Sequence, residues 1–188
     1  LTRGQEKPDV HARMSAHAEP LIAEQLDVLE RVGQMPIDAG ATAVVATAWR
    51  AAQAARSQLE RRVLRPEGIS WGGFWLLFNL WIWGPMETRA LASSMSCARP
   101  SVSSLCDTLQ RAGLVRRRGD ASDRRLVRVE LTAAGRTTIE ALYPRFNAGE
   151  AELVAGLSPE EREQLATLLR RFLHSVRAID ARPGVLDF

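Results

Sequence analysis

The sequence predicts a mainly α fold that carries one small β-hairpin, and three observations predict it. Apolar residues recur at helical spacing along most of the chain. The stretch from Leu114 to Leu131 instead starts apolar, turns basic, crosses a Gly/Asp turn and returns with alternating apolar residues. Arginine is concentrated in that same place. Residues 111–128, RAGLVRRRGDASDRRLVR, hold seven arginines against the two aspartates Asp120 and Asp123, a local balance of +5 in a chain whose net charge is +3. The rest of the molecule therefore sums to −2. A small, rigid, arginine-dense hairpin is what a protein needs to meet a phosphate backbone and reach into a groove.

The elements follow in order. Residues 17–33 place Leu21, Ile22, Leu26, Leu29 and Val32 on one helical face, ended by Gly33. Residues 36–40 read as a hinge, and Ala41–Leu64 as an alanine-rich helix of high propensity, with Arg61 and Arg62 near its dipole-favoured end. Ser70–Trp83 is almost wholly apolar and holds four of the five tryptophans, so that helix must be buried.

Residues 85–113 read as two short helices joined by a tight turn. Met86, Ala90, Leu91 and Ala92 give the first a narrow apolar face, and Ser96 after the turn reads as the next N-cap. Ala98, Val102, Leu105, Leu109 and Ala112 form one stripe of the second helix. Pro100 is tolerated because it falls in the first turn, where the amide has no partner to lose, and Gly113 stops the helix. Off the stripe lie Arg99, Ser101, Ser103, Ser104, Asp107 and Arg111, side chains able to contact base edges and phosphates in a major groove.

In the hairpin, Leu114–Arg118 is the outgoing strand and Gly119–Asp123 the turn. Leu126, Val127, Val129 and Leu131 carry the apolar return, alternating with Arg128 and Glu130. Residues 133–156 form another helix. Ser158-Pro159-Glu160-Glu161 is a capping box opening the last one, which bears Leu165, Leu168, Leu169, Phe172, Leu173 and Val176. So much apolar surface at the chain end calls for a partner, and helix-turn-helix proteins commonly dimerise to match two half-sites.

The run Leu91-Ala92, Pro100-Ser101-Val102-Ser103, Leu109 to Val115, Asp120 to Arg125 and Leu131-Thr132-Ala133-Ala134-Gly135 resembles the winged helix-turn-helix of the MarR family of transcriptional regulators. That family's wing signature, Asp-x-Arg followed by Leu-Thr-x-x-Gly, is matched by Asp123, Arg125, Leu131, Thr132 and Gly135. The match covers residues 85–135, and the flanking helices fit the layout less specifically. The resemblance implies that Arg125, held by Asp123, enters a minor groove, whose narrow form favours an inserted guanidinium. Arg116, Arg117, Arg118 and Arg124 would then contact phosphates. For Asp123 a plain turn role remains open.

The resemblance also implies a twofold dimer built from helices at both chain ends, bound to double-stranded DNA. It divides the chain into an extension over residues 1–40, ahead of where such proteins usually begin, and one domain over 41–188. Within that domain the winged module spans 66–132, and the dimerisation helices span 41–65 and 133–180. Trp49, Trp71, Trp75 and Phe78 would line a cavity for a small aromatic effector, although core packing accounts for the same residues.

Other classes find less support. There is no Gly-rich phosphate loop and no nucleophile–base pair, so no enzyme and no cofactor are expected. His11, His17 and His174 make no ligand cluster with the two cysteines, so no metal site is expected. Cys97 and Cys106, nine residues apart and both placed on the recognition helix, would lie on opposite faces and cannot pair. Cys97 reads as an inert side chain or as a redox-sensitive thiol at a helix N-terminus. The apolar run 74–83 is too short to span a membrane and the N-terminus is polar, so a cytoplasmic protein is expected. The alternative to a dimeric regulator is a non-enzymatic interaction protein that uses the hairpin for protein or RNA contacts.

Overall fold

A computed structural model describes residue 31 and residues 35–119 and 127–180 of the chain. The helix expected over 17–33 lies outside the described residues apart from Arg31, and so do Asp120 to Leu126 of the hairpin. The chain divides into two compact units, Leu1–Ala52 and Gln53–Phe188.

In the first unit, the hinge expected at 36–40 ends in a helix cap. Asp38 Oδ1 accepts from Ala41 N at 2.9 Å, so helix α1 (Ala39–Leu59) starts two residues earlier than its alanine run suggests. Val44, Val45 and Trp49 on this helix are exposed, as are Met35 and Ile37 before it.

The second unit opens on the last turns of α1. The helix expected to reach Leu64 widens into a π-helical turn at Glu60–Leu64 and tightens into a 3₁₀ turn at Arg65–Glu67. Both serve to bury Leu59, Val63 and Leu64 together. Helix α2 (Trp71–Trp83) is capped by Ser70, whose Oγ accepts from Gly73 N at 3.1 Å. It is central as its composition demands, except at its last turn, where Ile82 and Trp83 are exposed. Phe74 stacks on Phe146 of helix α5 (Ala133–Leu153) at 4.1 Å between ring centres, and Leu76, Leu77 and Leu80 are fully buried around it.

The rest of the module packs on this core. Strand β1 (Met86–Glu87), helix α3 (Thr88–Ser94), helix α4 (Arg99–Arg111), strand β2 (Val115–Gly119) and strand β3 (Val127–Leu131) follow in sequence. The hairpin expectation gains a third strand, because β1 adds antiparallel to β3 and the order is β1-β3-β2. Met86 therefore belongs to the sheet and not to the first short helix. Asn79, the one buried polar residue among those described, fixes α3 to α2. Its Nδ2 donates to Trp75 O at 2.8 Å, and its Oδ1 accepts from Ser94 Oγ.

The turn between α3 and α4 departs from expectation. Ser96 caps nothing and instead takes the left-handed conformation (φ 50°) that the tight turn requires. Ala98 occupies the N-cap position of α4, and Cys97 lies outside the helix with its thiol exposed. Inside α4 the buried residues are Val102, Cys106 and Leu109; Leu105 is half-buried against the same core, whereas Ala112 is exposed, and Cys106, outside the expected stripe, is fully buried. Its burial pushes the thiol pKa up, which keeps it protonated and inert.

Helix α6 (Pro159–Asp180) opens on the expected box, with Ser158 N donating to Glu161 Oε2 at 2.7 Å and Glu161 N to Ser158 Oγ at 3.2 Å. Arg162 Nε reaches back to the carbonyls of Val154 and Leu157, closing the turn from α5. Residues 159–179 include no buried position, and Leu165, Leu168, Leu169, Leu173, Val176 and Ile179 are exposed.

Candidate nucleic-acid interface

Helix α4 ends where it does because Gly113 takes φ 74°, which turns the chain directly into β2. The turn is held from the far side of the hairpin. Thr132 Oγ1 donates to Gly113 O at 2.7 Å and accepts from Gly135 N at 3.0 Å, so one hydroxyl caps α5 and ties the end of α4 to it. Gly135 packs against the carbonyl of Leu114, where any Cβ would overlap the backbone oxygen. The Leu-Thr-x-x-Gly spacing is thus a joint between recognition helix, hairpin and α5.

Around α4 the residues sort into three sectors at 100° per residue. Val102, Cys106 and Leu109 face the core. Ser103, Asp107 and Gln110 face β2, whose Arg117 Nη1 lies 2.6 Å from Asp107 Oδ1 and 3.1 Å from Gln110 Oε1, while its Nη2 donates to Ser103 O at 3.4 Å. Ser101, Ser104, Thr108 and Arg111 form the remaining, exposed sector. There Thr108 Oγ1 donates to Ser104 O at 3.0 Å and accepts from Arg111 Nη2 at 3.2 Å, which holds the guanidinium along the helix. Arg99 is exposed at the helix start. Sequence reasoning passed over Thr108 and Gln110, although the spacing 101/104/108/111 against 103/107/110 separates the two sectors.

The hairpin arginines differ among themselves. In register, Arg116 faces Glu130 and Arg118 faces Arg128 on one side of the ribbon, whereas Arg117 faces Val129 on the other. Arg116 Nε sits 2.6 Å from Glu130 Oε1, a carboxylate whose side chain is 14% exposed. Arg118 makes no ion pair with a described residue and is exposed. Arg118 and Arg128 stand directly opposite each other in register, both exposed. Of the arginines expected at phosphates, then, Arg116 and Arg117 have carboxylate partners within the chain. Asp123, Arg124 and Arg125 lie outside the described residues.

Of the aromatic residues assigned to an effector cavity, Trp49 is exposed in the first unit. Trp71, Trp75 and Phe78 are half-buried in the second and engage one another and Phe74, Tyr143 and Phe146 at 5.2–5.9 Å between ring centres. Arg56 lies over the Trp71 ring at 5.7 Å. No described helix is long and apolar enough to cross a membrane.

A helix-turn-helix whose second helix stands exposed beside an arginine-bearing ribbon defines a winged-helix, DNA-binding transcriptional regulator. The comparisons agree. Residues 69–127 match the profile of the MarR family. The chain is 37% identical over 151 residues to the HTH-type transcriptional regulator YwaE of Bacillus subtilis, covering 79% of this chain and 88% of that protein. The chain belongs to the MarR family. Among solved structures it is similar to MepR of S. aureus in its complex with DNA, at 28% identity and a TM-score of 0.61 over 66% of this chain and 91% of that one. AbsC, a MarR family regulator from Streptomyces coelicolor, shares the fold at 24% identity and a TM-score of 0.68, covering 77% of this chain and 99% of that one.

Proposed function

We propose that the protein is a dimeric repressor that binds a near-palindromic double-stranded operator. Helix α4 enters the major groove through its exposed sector, and Arg125, oriented by Asp123, enters the adjacent minor groove. Arg118 and Arg124 contact phosphates, and Arg99 does so at the helix start. The observation that carries this reading is the exposed polar sector of α4 beside a ribbon on which Arg118 is exposed. The likeness to MepR, solved with DNA bound, supports it.

The dimer rests on α6. A helix of 22 residues with no buried position over 159–179 and six exposed large apolar residues has an unmet face, and a second copy of the same face satisfies it symmetrically. A single winged module reads only one half-site, so operator affinity and dimerisation go together. In this reading residues 1–40 are an extension of a domain spanning 41–188, with dimer contacts from 41–65 and 133–180.

Release by a small aromatic effector belongs to the same reading. Trp71, Trp75 and Phe78 are half-buried and Trp49 is exposed, so a ligand could reach each of them.

The test is a mobility shift with duplexes selected by the chain from a random library, alongside the chain's own promoter region, at physiological salt. Selection of a sequence with twofold symmetry is expected. Binding to RNA or protein with no enrichment of any duplex would overturn the reading. Tryptophan fluorescence titrated with benzoate, with and without the selected duplex, tests the effector arm.

A further inference from the structure

The contacts of Arg117 separate it from the other hairpin arginines. It lies on the inward side of β2, beside Val129, with its side chain 30% exposed against 63% for Arg116. Its guanidinium reaches three successive positions on one side of α4, namely the Asp107 carboxylate, the Gln110 amide oxygen and the Ser103 carbonyl. A planar fork that bonds three points along about two turns of a helix resists rotation of that helix about its own axis. Burial is partial, so the pair adds little to global stability. What it controls is angle. A rotation of one residue position, about 100°, would carry Ser104 and Thr108 out of the exposed sector.

Resting on the DNA-binding reading above, we propose that Arg117 is a positioning residue that sets the rotation of the recognition helix by engaging Asp107, Gln110 and Ser103. It is not a phosphate contact. The residues that read bases are then Ser101, Ser104, Thr108 and Arg111, with Ser103 turned to the wing. Arg117 acts on sequence preference, whereas Arg118, exposed on the opposite side of the ribbon, acts on affinity for any duplex.

Two measurements test this. The first is affinity for a duplex selected by the unmodified chain and for a scrambled duplex of equal composition, between about 50 and 200 mM salt. Arg117→Gln should cut the preference for the selected duplex by about tenfold or more, the discrimination of one good base contact, with the salt slope unchanged. Arg117→Lys should fail to restore it, because an ammonium keeps the charge but not the fork. Asp107→Asn should give the same loss, and the double variant no further loss. Arg118→Gln should lower the salt slope by about one and keep the preference. A slope lowered by about one in Arg117→Gln, equal weakening on both duplexes and full rescue by lysine would overturn the proposal.

The second measurement is hydrogen exchange of the α4 amides from Ser103 to Arg111. These should exchange faster in Arg117→Gln while amides of α2 and α5 do not change. Unchanged exchange in α4 would overturn the brace whatever the DNA result. If the unmodified chain enriched no duplex at all, the regulator reading would fail, and the exchange experiment would still decide the brace.

Discussion

Gly135 and Thr132 carry more of the architecture than their size suggests. One hydroxyl closes the end of α4 and opens α5, and the glycine lets the two backbones touch. Gly135→Ala should therefore destabilise the chain by about 1–3 kcal/mol or more, since the obstacle is a backbone carbonyl that cannot swing aside. Urea denaturation of the variant would show it, and an unshifted midpoint would mean that the joint is looser than its contacts indicate. At the wing, Arg125→Ala should weaken binding to the selected duplex by about 1–3 kcal/mol and relax preference for A·T-rich flanks, with the fold retained. Equal affinity of a folded variant would remove the wing from the interface.

Among the elements, α4 and α6 make opposite uses of amphipathicity. Helix α4 buries one sector, braces the second against β2 and leaves the third exposed. Helix α6 has an apolar face with no buried position behind it, so its local stability leans on its cap. Ser158→Ala should cost about 1 kcal/mol, read as lost helicity near residue 160 by hydrogen exchange. Glu160, next in that turn, has its pKa lowered by its own backbone amide and by the Ser158 hydroxyl. A depressed carboxylate stabilises above its unfolded pKa and loses that contribution as pH falls through the folded one. Acidification below the ordinary carboxylate range should thus loosen this turn first, and uniform exchange along α6 across that range would contradict it.

For the whole molecule, assembly and electrostatics make separate predictions. Leu168 is 58% exposed, so Leu168→Glu should leave the subunit folded while splitting the dimer, because an interface would trap an unpaired carboxylate. Sedimentation of a stable dimer in this variant would place the interface elsewhere. Operator affinity should fall linearly in log–log terms with salt, by about 10³–10⁵ between about 50 and 200 mM if the dimer makes about 6–10 phosphate contacts. With Arg116 and Arg117 held by Glu130 and Asp107, the lower end of that range is expected. A nearly flat dependence would point to a partner other than nucleic acid.

Much of the fold was legible because its signals are local. Apolar composition marked α2, helical spacing marked α4, Gly113 marked the end of α4, and Ser158 to Glu161 marked the start of α6. The charge imbalance located the ribbon, and one motif run located the family. Tertiary contact decided the rest. β1 exists only because β3 lies beside it, and two residues hold no periodicity to read. Cys106 joined Val102 and Leu109 in the core while Leu105 stayed half-buried beside them and Ala112 was left exposed, because the angle at which α4 meets α2 is set by packing. The arginine run shows the difference most plainly. Composition weighs Arg116, Arg117 and Arg118 equally, yet the pleat points the middle one inward to α4 and the other two outward. Sequence determined that this protein presents a helix and a basic ribbon; only the register and the packing behind it decided which arginine engages Asp107 and which stays exposed, because strand side chains alternate sides and a partner across space is not written in spacing along the chain.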